Sequence, residues 1–551
     1  MSGQADHFVG LLWTSFETRR QQKGENLATR TATAVATTKR TYGLPFVISA
    51  SSAGTVIEWY DFYLYATLAP FFAPIFFPSG NDTASLLSAF ATYAAGFLVR
   101  PFGAVFFGAL GDIIGRKYTF LVTITVMGLA TVLVGFLPTY AQIGIFAPVI
   151  LVALRLLQGL ALGGEYGGAA IYVAEHAPDN KRGLYTAWIQ TTATVGFFLA
   201  LAIILAFRLN MTAKEFTTDA PLFLGLAGGW RYPFLISAIL VAFALYIRLR
   251  LRETPLFARL KEARQSVTGA GNWASESFGG RKVGVILLVL LGLTAGQGVV
   301  WYQGQFQALN FMTIYLKLTF TQAYPIMLWA VALGTPFFLV FGWLSDRIGR
   351  KLIILAGCLI AAITYLPIYQ QMTEHAHVTK DATGLITAAN PDTLIMVALV
   401  WIQVIYVTMV YGPIAAFLVE YFRAKVRYTS LSIPYHFGNG WFGGLLPLLF
   451  TGLVGATYPE GVKNAAGQLL YVPFLSNFMG LPIKTDISLR QFNTTGDPNG
   501  NIYLGLAYTI IVALMTVVIG TLFLREPRGA KIWSEVGGEE PGMVTEATPA
   551  E

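Results

Sequence analysis

The sequence predicts an all-α membrane protein with twelve transmembrane helices in two pseudo-symmetric six-helix halves. Hydrophobic residues make up 55% of the chain and charged residues 12%, and the mean hydropathy of +0.58 is too high for an ordinary soluble domain. Segments of about 20 or more mostly apolar residues, each long enough to cross a bilayer, follow one another along the chain. A ten-residue loop occurs once in each half, which indicates an internal repeat.

A charged linker at residues 251–282 separates the two halves. The N-terminal half is predicted at residues 44–250 and the C-terminal half at residues 283–525, with polar tails at 1–43 and 526–551. The spans are predicted near residues 44–77, 84–110, 118–137, 142–174, 184–207, 231–250, 283–316, 323–344, 352–371, 393–419, 431–456 and 501–524.

The distribution of basic residues predicts the orientation of the chain in the membrane. With both termini in the cytoplasm, the inward segments carry 27 of the 37 lysines and arginines, and the outward segments carry 8. This asymmetry accounts for the net charge of +8 without a nucleic-acid partner. We therefore expect a multi-pass protein of the bacterial inner membrane. The remaining two arginines, Arg100 and Arg155, fall inside predicted spans.

The repeated loop reads GALGDIIGRK at residues 108–117 and GWLSDRIGRK at residues 342–351. A second repeated pair separates a glutamate from an arginine by seven residues in each half. Gly-Arg-Lys turns are common between transmembrane helices, so the repeat could be purely topological. The alternative is a set of gating residues, namely Asp112, Arg116, Asp346, Arg350, Glu175, Arg182, Glu420 and Arg427.

The paired loop resembles the signature loop of the major facilitator superfamily, which joins the second and third helices of each half. The first copy departs from the pattern at Ile113, where the family usually has a basic residue. TVIEWYDF at 55–62, RLLQG at 155–159 and GGEYGG at 163–168 resemble the metabolite:proton symporter subfamily. That subfamily includes importers of 2-oxoglutarate, citrate, shikimate and proline/betaine. The resemblance covers residues 44–450 and implies a transporter that works by alternating access.

Five ionisable residues fall at bilayer depth, where a charge is costly unless it is paired or hydrated. Glu58 and Asp61 share one face of the first helix, and at least one of them is predicted to titrate or to face substrate. The alternative is a structural ion pair with Arg100 or Arg155. Glu165 lies nearer the cytoplasmic end and suits gating or coupling. The predicted proton-coupling set is Glu58, Asp61, Arg155 and Glu165.

Arg155 and Gln158 place a guanidinium and an amide on one face of the fourth helix. The forked donors of arginine match a carboxylate, so Arg155 is the expected anchor for an anionic substrate, whereas Arg100 suits structure or coupling. The C-terminal half offers polar and aromatic groups instead of embedded charges. Each aromatic residue could equally serve helix packing, and His436 could be a neutral hydrogen-bonding group. The predicted substrate-binding set is Arg155, Gln158, Tyr63, Arg100, Trp301, Gln303, Tyr406, His436 and Asn439.

These features predict a proton-coupled symporter that imports a small organic anion such as a mono- or dicarboxylate. The alternative substrate is a zwitterionic osmolyte such as betaine or proline, held in an aromatic cage. A membrane-embedded enzyme is disfavoured because the chain has no Gly-x-Ser-x-Gly or His-Glu-x-x-His motif, and a channel would not need two gating loops. We expect a monomer in the lipid bilayer, with the proton as coupling ion and no cofactor. One cysteine and five scattered histidines predict no metal site.

Overall fold

The computed structural model describes residues 44–78, 82–219, 227–249, 256, 270–457 and 499–534. The predictions made for the N-terminal tail, for most of the linker, for residues 458–498 and for residues 535–551 therefore lie outside the described residues. The chain divides into a short unit, Met1–Phe46, and a large one, Val47–Glu551, and the helix bundle lies in the large unit.

The N-terminal half consists of helices and short turns. Two of its predicted spans are interrupted: one breaks at Val99, just before Pro101, and another breaks at Gly163 and Gly164. Proline has no amide hydrogen to donate, so it is favoured in the first turn of a new helix. The helices are α1 Leu44–Phe76, α2 Asp82–Leu98, α3 Arg100–Ile113, α4 Arg116–Phe136, α5 Tyr140–Ile143, α6 Phe146–Leu162, α7 Glu165–His176, α8 Arg182–Asn210 and α9 Arg231–Leu249, followed by α10 Ala270–Phe278.

The C-terminal half begins with a long helix that contains three π-helical turns, at Leu290–Thr294, Gln303–Gln307 and Phe311–Tyr315. The helices are α11 Lys282–Val289, α12 Ala295–Tyr302, α13 Ala308–Asn310, α14 Phe320–Gly334, α15 Phe337–Ile348, α16 Arg350–Glu374, α17 Thr393–Tyr411, α18 Ile414–Tyr421, α19 Arg427–Phe437, α20 Leu446–Gly455 and α21 Leu506–Phe523. Two short strands, β1 Thr379–Lys380 and β2 Ile386–Ala388, pair antiparallel between α16 and α17.

Nine helical stretches within the described residues are long and apolar enough to cross a membrane. Two further apolar helices, Leu121–Phe136 and Arg231–Tyr246, are shorter, and α1 accounts for the first predicted span. Each of the twelve predicted segments thus overlaps a helix. The all-α membrane fold is confirmed, whereas the number of complete spans stays a prediction.

The repeated loop makes the same turn in both halves. Gly115 has φ 139° and Gly349 has φ 111°, and each residue ends one helix and precedes the next. A residue with a Cβ atom rarely adopts a φ in this range, so the motif requires glycine at this position. We call the end of the bundle that carries residues 108–117 and 342–351 the loop face, and the end that carries β1 and β2 the hairpin face.

The two halves meet through two equivalent helix pairs. Helix α3, which carries the first loop motif, packs against α19, and α15, which carries the second, packs against α8. The first glycine of each motif lies at this contact. A Cβ at Gly108 would meet Thr429 Cα at 3.0 Å, and a Cβ at Gly342 would meet the Gly183 carbonyl at 2.7 Å. Small residues at these positions let the helix backbones of opposite halves approach closely.

Helices α2 and α6 also approach each other at backbone distance, inside the N-terminal half. A Cβ at Gly159 would lie 1.7 Å from the Gly96 carbonyl oxygen, a distance that no relaxation of side chains can relieve. This contact fixes the spacing of α6, the helix that carries Arg155 and Gln158. The glycine therefore positions the charged residues of the same helix.

We expect Gly159→Ala to lower the melting temperature of the purified protein, because forcing a methyl group into a packed backbone contact costs about 1–3 kcal/mol. Gly284→Ala is the matched control. Gly284 is exposed in α11, nothing lies within 4 Å of the place that an added methyl group would take, and alanine favours a helix over glycine by about 1 kcal/mol. Thermal denaturation in detergent measures both, and equal melting temperatures for the two variants would contradict the backbone contact.

Candidate functional site

Asp61 of α1 is a buried carboxylate inside the N-terminal half, with 2% of its surface exposed. Its Oδ1 accepts a hydrogen bond of 2.6 Å from Ser237 Oγ of α9, and Arg155 of α6 is close enough to interact with its charge. Thr131 of α4 also lies close enough to this carboxylate to interact with it. Glu58 lies one helical turn earlier in α1, but its side chain is outside the described residues.

Arg155 is buried beside this carboxylate. Its guanidinium carbon lies 3.6 Å from the centroid of the Tyr65 ring, a cation–π contact. Its Nε and Nη2 atoms have no hydrogen-bond partner among the described residues. Gln158, one turn further along the same face, is also buried and donates to Thr131 Oγ1 of α4. The Arg155 guanidinium thus has N–H groups that can still donate hydrogen bonds. Leaving such buried donors without an acceptor costs free energy.

Arg100, at the start of α3, lies close to the same place. Its guanidinium carbon is 4.3 Å from the Phe97 ring centroid and 5.2 Å from that of Phe62. Arg100 and Arg155 both line one small pocket between α1, α2, α3 and α6. The other residues that line it are Phe62, Tyr93, Gly96, Phe97, Gln158, Gly159 and Leu162. Two positive charges that share a pocket with apolar walls favour an anion.

Aromatic side chains from both halves meet at the centre of the bundle. Trp59 of α1 and Trp301 of α12 pack with ring centroids 4.7 Å apart. Tyr63 stacks on Phe197 at 4.2 Å and donates a hydrogen bond of 3.1 Å to Gln305 Oε1 of the C-terminal half. These rings contact one another directly, so an aromatic layer joins the two halves at this level.

Nearer the loop face, a tyrosine pair extends this layer. The rings of Tyr166 and Tyr435 stack at 3.6 Å with an interplanar angle of 3°, and the Tyr411 and Tyr435 hydroxyls lie 2.6 Å apart. The predicted sets do not contain these tyrosines. Tyr166 lies within the GGEYGG stretch, and Tyr411 lies just before Gly412. These glycines permit close helix approach, and they are the sequence feature that could have predicted the tyrosine contacts.

The structure separates the predicted substrate-binding residues of the C-terminal half. His436 is buried beside Tyr435 and close to Arg100, so it faces the N-terminal half. Asn439 exchanges hydrogen bonds of 2.9 and 3.1 Å with Gln297. The other two residues bond within their own half: Gln303 pairs with Tyr369 and Thr509, and Tyr406 accepts from Thr364 of α16.

At the loop face, each motif aspartate binds the N-terminus of a helix in the opposite half. Asp346 accepts hydrogen bonds of 2.8 and 2.9 Å from the backbone amides of Gly183 and Leu184, in the first turn of α8. Asp112 accepts from the backbone amide and hydroxyl of Thr429, at 3.1 and 2.7 Å, in the first turn of α19. A carboxylate is favoured there by the unsatisfied amides and by the helix dipole.

Buried ion pairs surround these two contacts. Glu420 Oε1 lies 2.9 Å from Arg182 Nη1 of the opposite half and 3.0 Å from Arg350 Nη2, which also pairs with Asp346 at 2.8 Å. In the equivalent pair, Arg427 Nη1 of the C-terminal half lies 3.7 Å from Glu175 Oε1 of the N-terminal half. The repeated residues therefore form two charged clusters, each of which joins the two halves at the loop face. We call the two clusters together the charged network. The side chain of Arg116 lies outside the described residues.

Glu165 occupies the first position of α7, between the embedded charges and this network. It is fully buried, and its Oε2 accepts a hydrogen bond of 3.2 Å from Thr123 Oγ1 of α4. The preceding residue, Gly164, accepts a hydrogen bond from the Tyr428 hydroxyl of the opposite half. Glu165 is thus adjacent to a contact between the halves.

Known proteins resemble this chain along most of its length. Residues 46–277 match the family model described as sugar (and other) transporter. The chain is 34% identical to the inner membrane metabolite transport protein YhjE of Escherichia coli, over 71% of this chain and 83% of that protein. It is 30% identical to the proline/betaine transporter of Escherichia coli, over 79% and 83% of the two chains, and 32% identical to the citrate-proton symporter of Klebsiella pneumoniae, over 73% and 84%. The chain belongs to the major facilitator superfamily.

A solved major facilitator structure has the same fold. The proton:xylose symporter XylE bound to 6-bromo-6-deoxy-D-glucose superposes with a TM-score of 0.64 at 15% identity, covering 90% of this chain and 98% of XylE. As a major facilitator, the chain is a multi-pass membrane transporter and not an enzyme. The family resemblance predicted from the repeated loop is confirmed.

We expect Asp346→Asn and Asp112→Asn to slow transport while equilibrium substrate binding changes no more than a few-fold. An amide binds a helix N-terminus more weakly than a carboxylate, so each variant weakens the closed loop face without touching the embedded charges. Asp381→Asn, which removes an exposed carboxylate at the hairpin face, is the control. Counterflow rates and equilibrium binding measure the two effects, and a large loss of binding with an unchanged rate would overturn the gating role.

Proposed function

We propose that this protein is a proton-coupled symporter that imports a small carboxylate-bearing metabolite by alternating access. The observation that carries the proposal is the pocket shared by Arg100 and Arg155, next to the buried carboxylate of Asp61. Two guanidinium groups and one carboxylate leave an excess of positive charge among the described groups. A substrate carboxylate would neutralise that excess.

Arg155 is the group best suited to receive the anion. It lies on α6 with two guanidinium nitrogens that lack hydrogen-bond partners among the described residues. Its guanidinium contacts the Tyr65 ring face and lies close enough to Tyr93 and Asp61 to interact with them electrostatically. A carboxylate accepts two parallel hydrogen bonds from such a fork. Gln158 lines the same pocket and would orient the neutral part of a small substrate. Tyr63, with Trp301 and His436 of the other half, is proposed to complete the binding site.

Proton coupling is proposed to act through Asp61 and Arg155, with Glu165 and Glu58 as further members of the set. A buried carboxylate that is protonated releases its arginine partner, and the arginine then becomes free to bind substrate. Deprotonation restores the internal pair and releases the substrate. The coupling ion is thus the proton, and no cofactor is required by this scheme.

Alternating access would use the two halves as the moving bodies. The closed loop face, with Asp112, Asp346 and Glu420 in the charged network, is one end state, and opening it would break the same contacts in both halves. The relatives named as inner membrane and citrate-proton transporters support a bacterial inner-membrane location and symport for this chain. We further propose a monomer with both termini in the cytoplasm, whose partners are its substrate and the lipid bilayer.

A zwitterionic osmolyte is the second candidate substrate. The observation in its favour is the meeting of Trp59 and Trp301 from opposite halves, since tryptophan faces bind quaternary ammonium groups. The proline/betaine transporter relative adds support. In this conformation, however, the two rings contact each other and leave no space between them for a cation.

Uptake into proteoliposomes tests the proposal directly. A panel of labelled mono- and dicarboxylates, proline and glycine betaine is supplied with and without an inward proton gradient. We expect a carboxylate to accumulate only when the gradient is present. Gradient-independent uptake of every substrate would contradict symport, and accumulation of betaine alone would favour the second candidate.

We expect Asp61→Asn to abolish gradient-driven accumulation while exchange of substrate across the membrane persists. Asparagine cannot take up the coupling proton, yet it still accepts a hydrogen bond from Ser237. Accumulation and counterflow are measured in the same vesicles, with Asp381→Asn as a control for loss of a carboxylate outside the membrane. Undiminished accumulation in Asp61→Asn would show that this carboxylate does not couple transport to protons.

We expect Arg155→Lys to reduce carboxylate uptake by roughly tenfold or more, because lysine keeps the charge but loses the planar fork. For a betaine held by tryptophan faces, the expectation is reversed: Arg155→Lys is mild and Trp301→Ala or Trp59→Ala is severe. The three variants are compared on the same substrate panel. A mild effect of Arg155→Lys would eliminate the anion hypothesis.

A further inference from the structure

The hairpin face carries a cluster of three potential metal ligands, none of which belongs to the candidate site described above. His375 and His377 follow the C-terminal end of α16, and Asp392 immediately precedes α17. The spacing of the histidines in the sequence predicts no metal site. The fold adds a contact that this spacing does not show, because the β1–β2 hairpin folds back and brings Asp392 next to the two histidines.

We propose that His375, His377 and Asp392 bind a divalent transition-metal ion at the hairpin face. Asp392 Oδ2 lies 3.0 Å from His375 Nδ1 and 2.9 Å from His377 Nε2, and the three ligand atoms all fall within 4.8 Å of one another. Ligand atoms bound to one tetrahedral Zn²⁺ at about 2.0–2.1 Å are themselves roughly 3.3–3.4 Å apart, so small side-chain rotations would admit the ion. The two imidazole rings are inclined at 82°, so their nitrogens approach the carboxylate from different directions.

The backbone around the cluster is held in place before any ion binds. The Asp392 amide donates to the His375 carbonyl at 2.9 Å, and the Asn390 amide donates to the Ala376 carbonyl at 3.0 Å. His377 adopts a left-handed backbone conformation with φ 44°, which is uncommon for a residue other than glycine. These contacts fix the distance between the histidine turn and the residue that precedes α17.

The outer part of the hairpin is tied to neighbouring elements. Asn499 accepts from the Ile386 amide and donates to the Gly384 carbonyl, at 2.8 and 2.9 Å. Gln322 of α14 donates to the Ala389 carbonyl at 3.1 Å. The ligands therefore flank a hairpin that is held by hydrogen bonds to neighbouring elements. Metal binding would then order few additional residues, so its cost in conformational entropy is small.

The ligand set indicates the class of ion. Two imidazoles and one carboxylate suit Zn²⁺, Ni²⁺, Cu²⁺ or Fe²⁺, whereas Mg²⁺ and Ca²⁺ prefer oxygen ligands throughout. Three protein ligands leave at least one position for water, and Asp392 and His377 are about half exposed. The site is thus open to solvent on its outer side, as in sites that exchange their metal, and differs from closed four-ligand structural zinc sites.

A bound ion would link two helices of the C-terminal half. His375 and His377 continue from α16, and Asp392 leads into α17, so the metal would cross-link the two helix ends at the hairpin face. Since binding to the folded protein alone stabilises it, we expect the ion to raise the melting temperature. The competing account is that Asp392 only accepts hydrogen bonds from the two rings, which would hold the turn without any metal.

Titration of ZnCl₂ into the purified full chain tests the site, with a histidine-free affinity tag and calorimetric detection. We expect one Zn²⁺ to bind per chain. His375→Asn/His377→Asn and Asp392→Asn should each weaken this binding by at least about tenfold. His7→Asn/His176→Asn removes the same number of histidines elsewhere and should bind Zn²⁺ like the unchanged protein. His176 bonds to the Tyr172 carbonyl at the end of α7.

Thermal denaturation with and without ZnCl₂ gives a second readout. The melting temperature should rise with Zn²⁺ in the unchanged protein and in the control variant, and should not respond in His375→Asn/His377→Asn. Absence of saturable binding up to about 1 mM, or equal affinity in the site variants and the control, would overturn the proposal. Size-exclusion profiles identify any variant that fails to fold. If the double histidine variant fails, Asp392→Asn serves as the independent test, because the side-chain amide oxygen of the asparagine still accepts a hydrogen bond from a histidine ring.

Discussion

The binding of a carboxylate to the N-terminus of a helix in the other half is the interaction on which the closed loop face depends. Asp346 binds the first turn of α8, and Asp112 binds the first turn of α19. Each contact satisfies backbone amides that no helix can satisfy internally. A hydrogen bond to a charged group contributes about 1.5–3 kcal/mol, so two such contacts are strong enough to close one end and weak enough to open again.

This carboxylate contact requires the helix backbones to come unusually close. Glycines at the start of each motif, Gly108 and Gly342, lie where a larger side chain would keep the halves apart. The positive-φ glycines of the same motif, Gly115 and Gly349, turn the chain so that the aspartate lies at the end of the preceding helix. The ten-residue repeat is therefore a complete structural unit, with close approach, helix capping and a turn specified together.

The embedded charges follow a different rule. A bilayer makes an isolated ion expensive, so Asp61 and Arg155 are buried beside each other and beside Ser237, Tyr65 and Arg100. They lie within one half, whereas the aromatic layer and the charged network lie between the halves. Asp61 and Arg155 are thus separate from the contacts between the halves, whereas Glu165 lies next to one of them.

The sequence by itself determined the membrane fold, the internal repeat and the set of embedded charges, because hydropathy, motif spacing and the cost of buried ions can all be read along one chain. It did not determine which partner each side chain meets. Tertiary structure alone directed Tyr406 toward α16, joined Tyr166 to Tyr435 across the halves, and brought Asp392 to two histidines. Such contacts depend on helix rotation and on the path of loops, and neither is encoded in local periodicity.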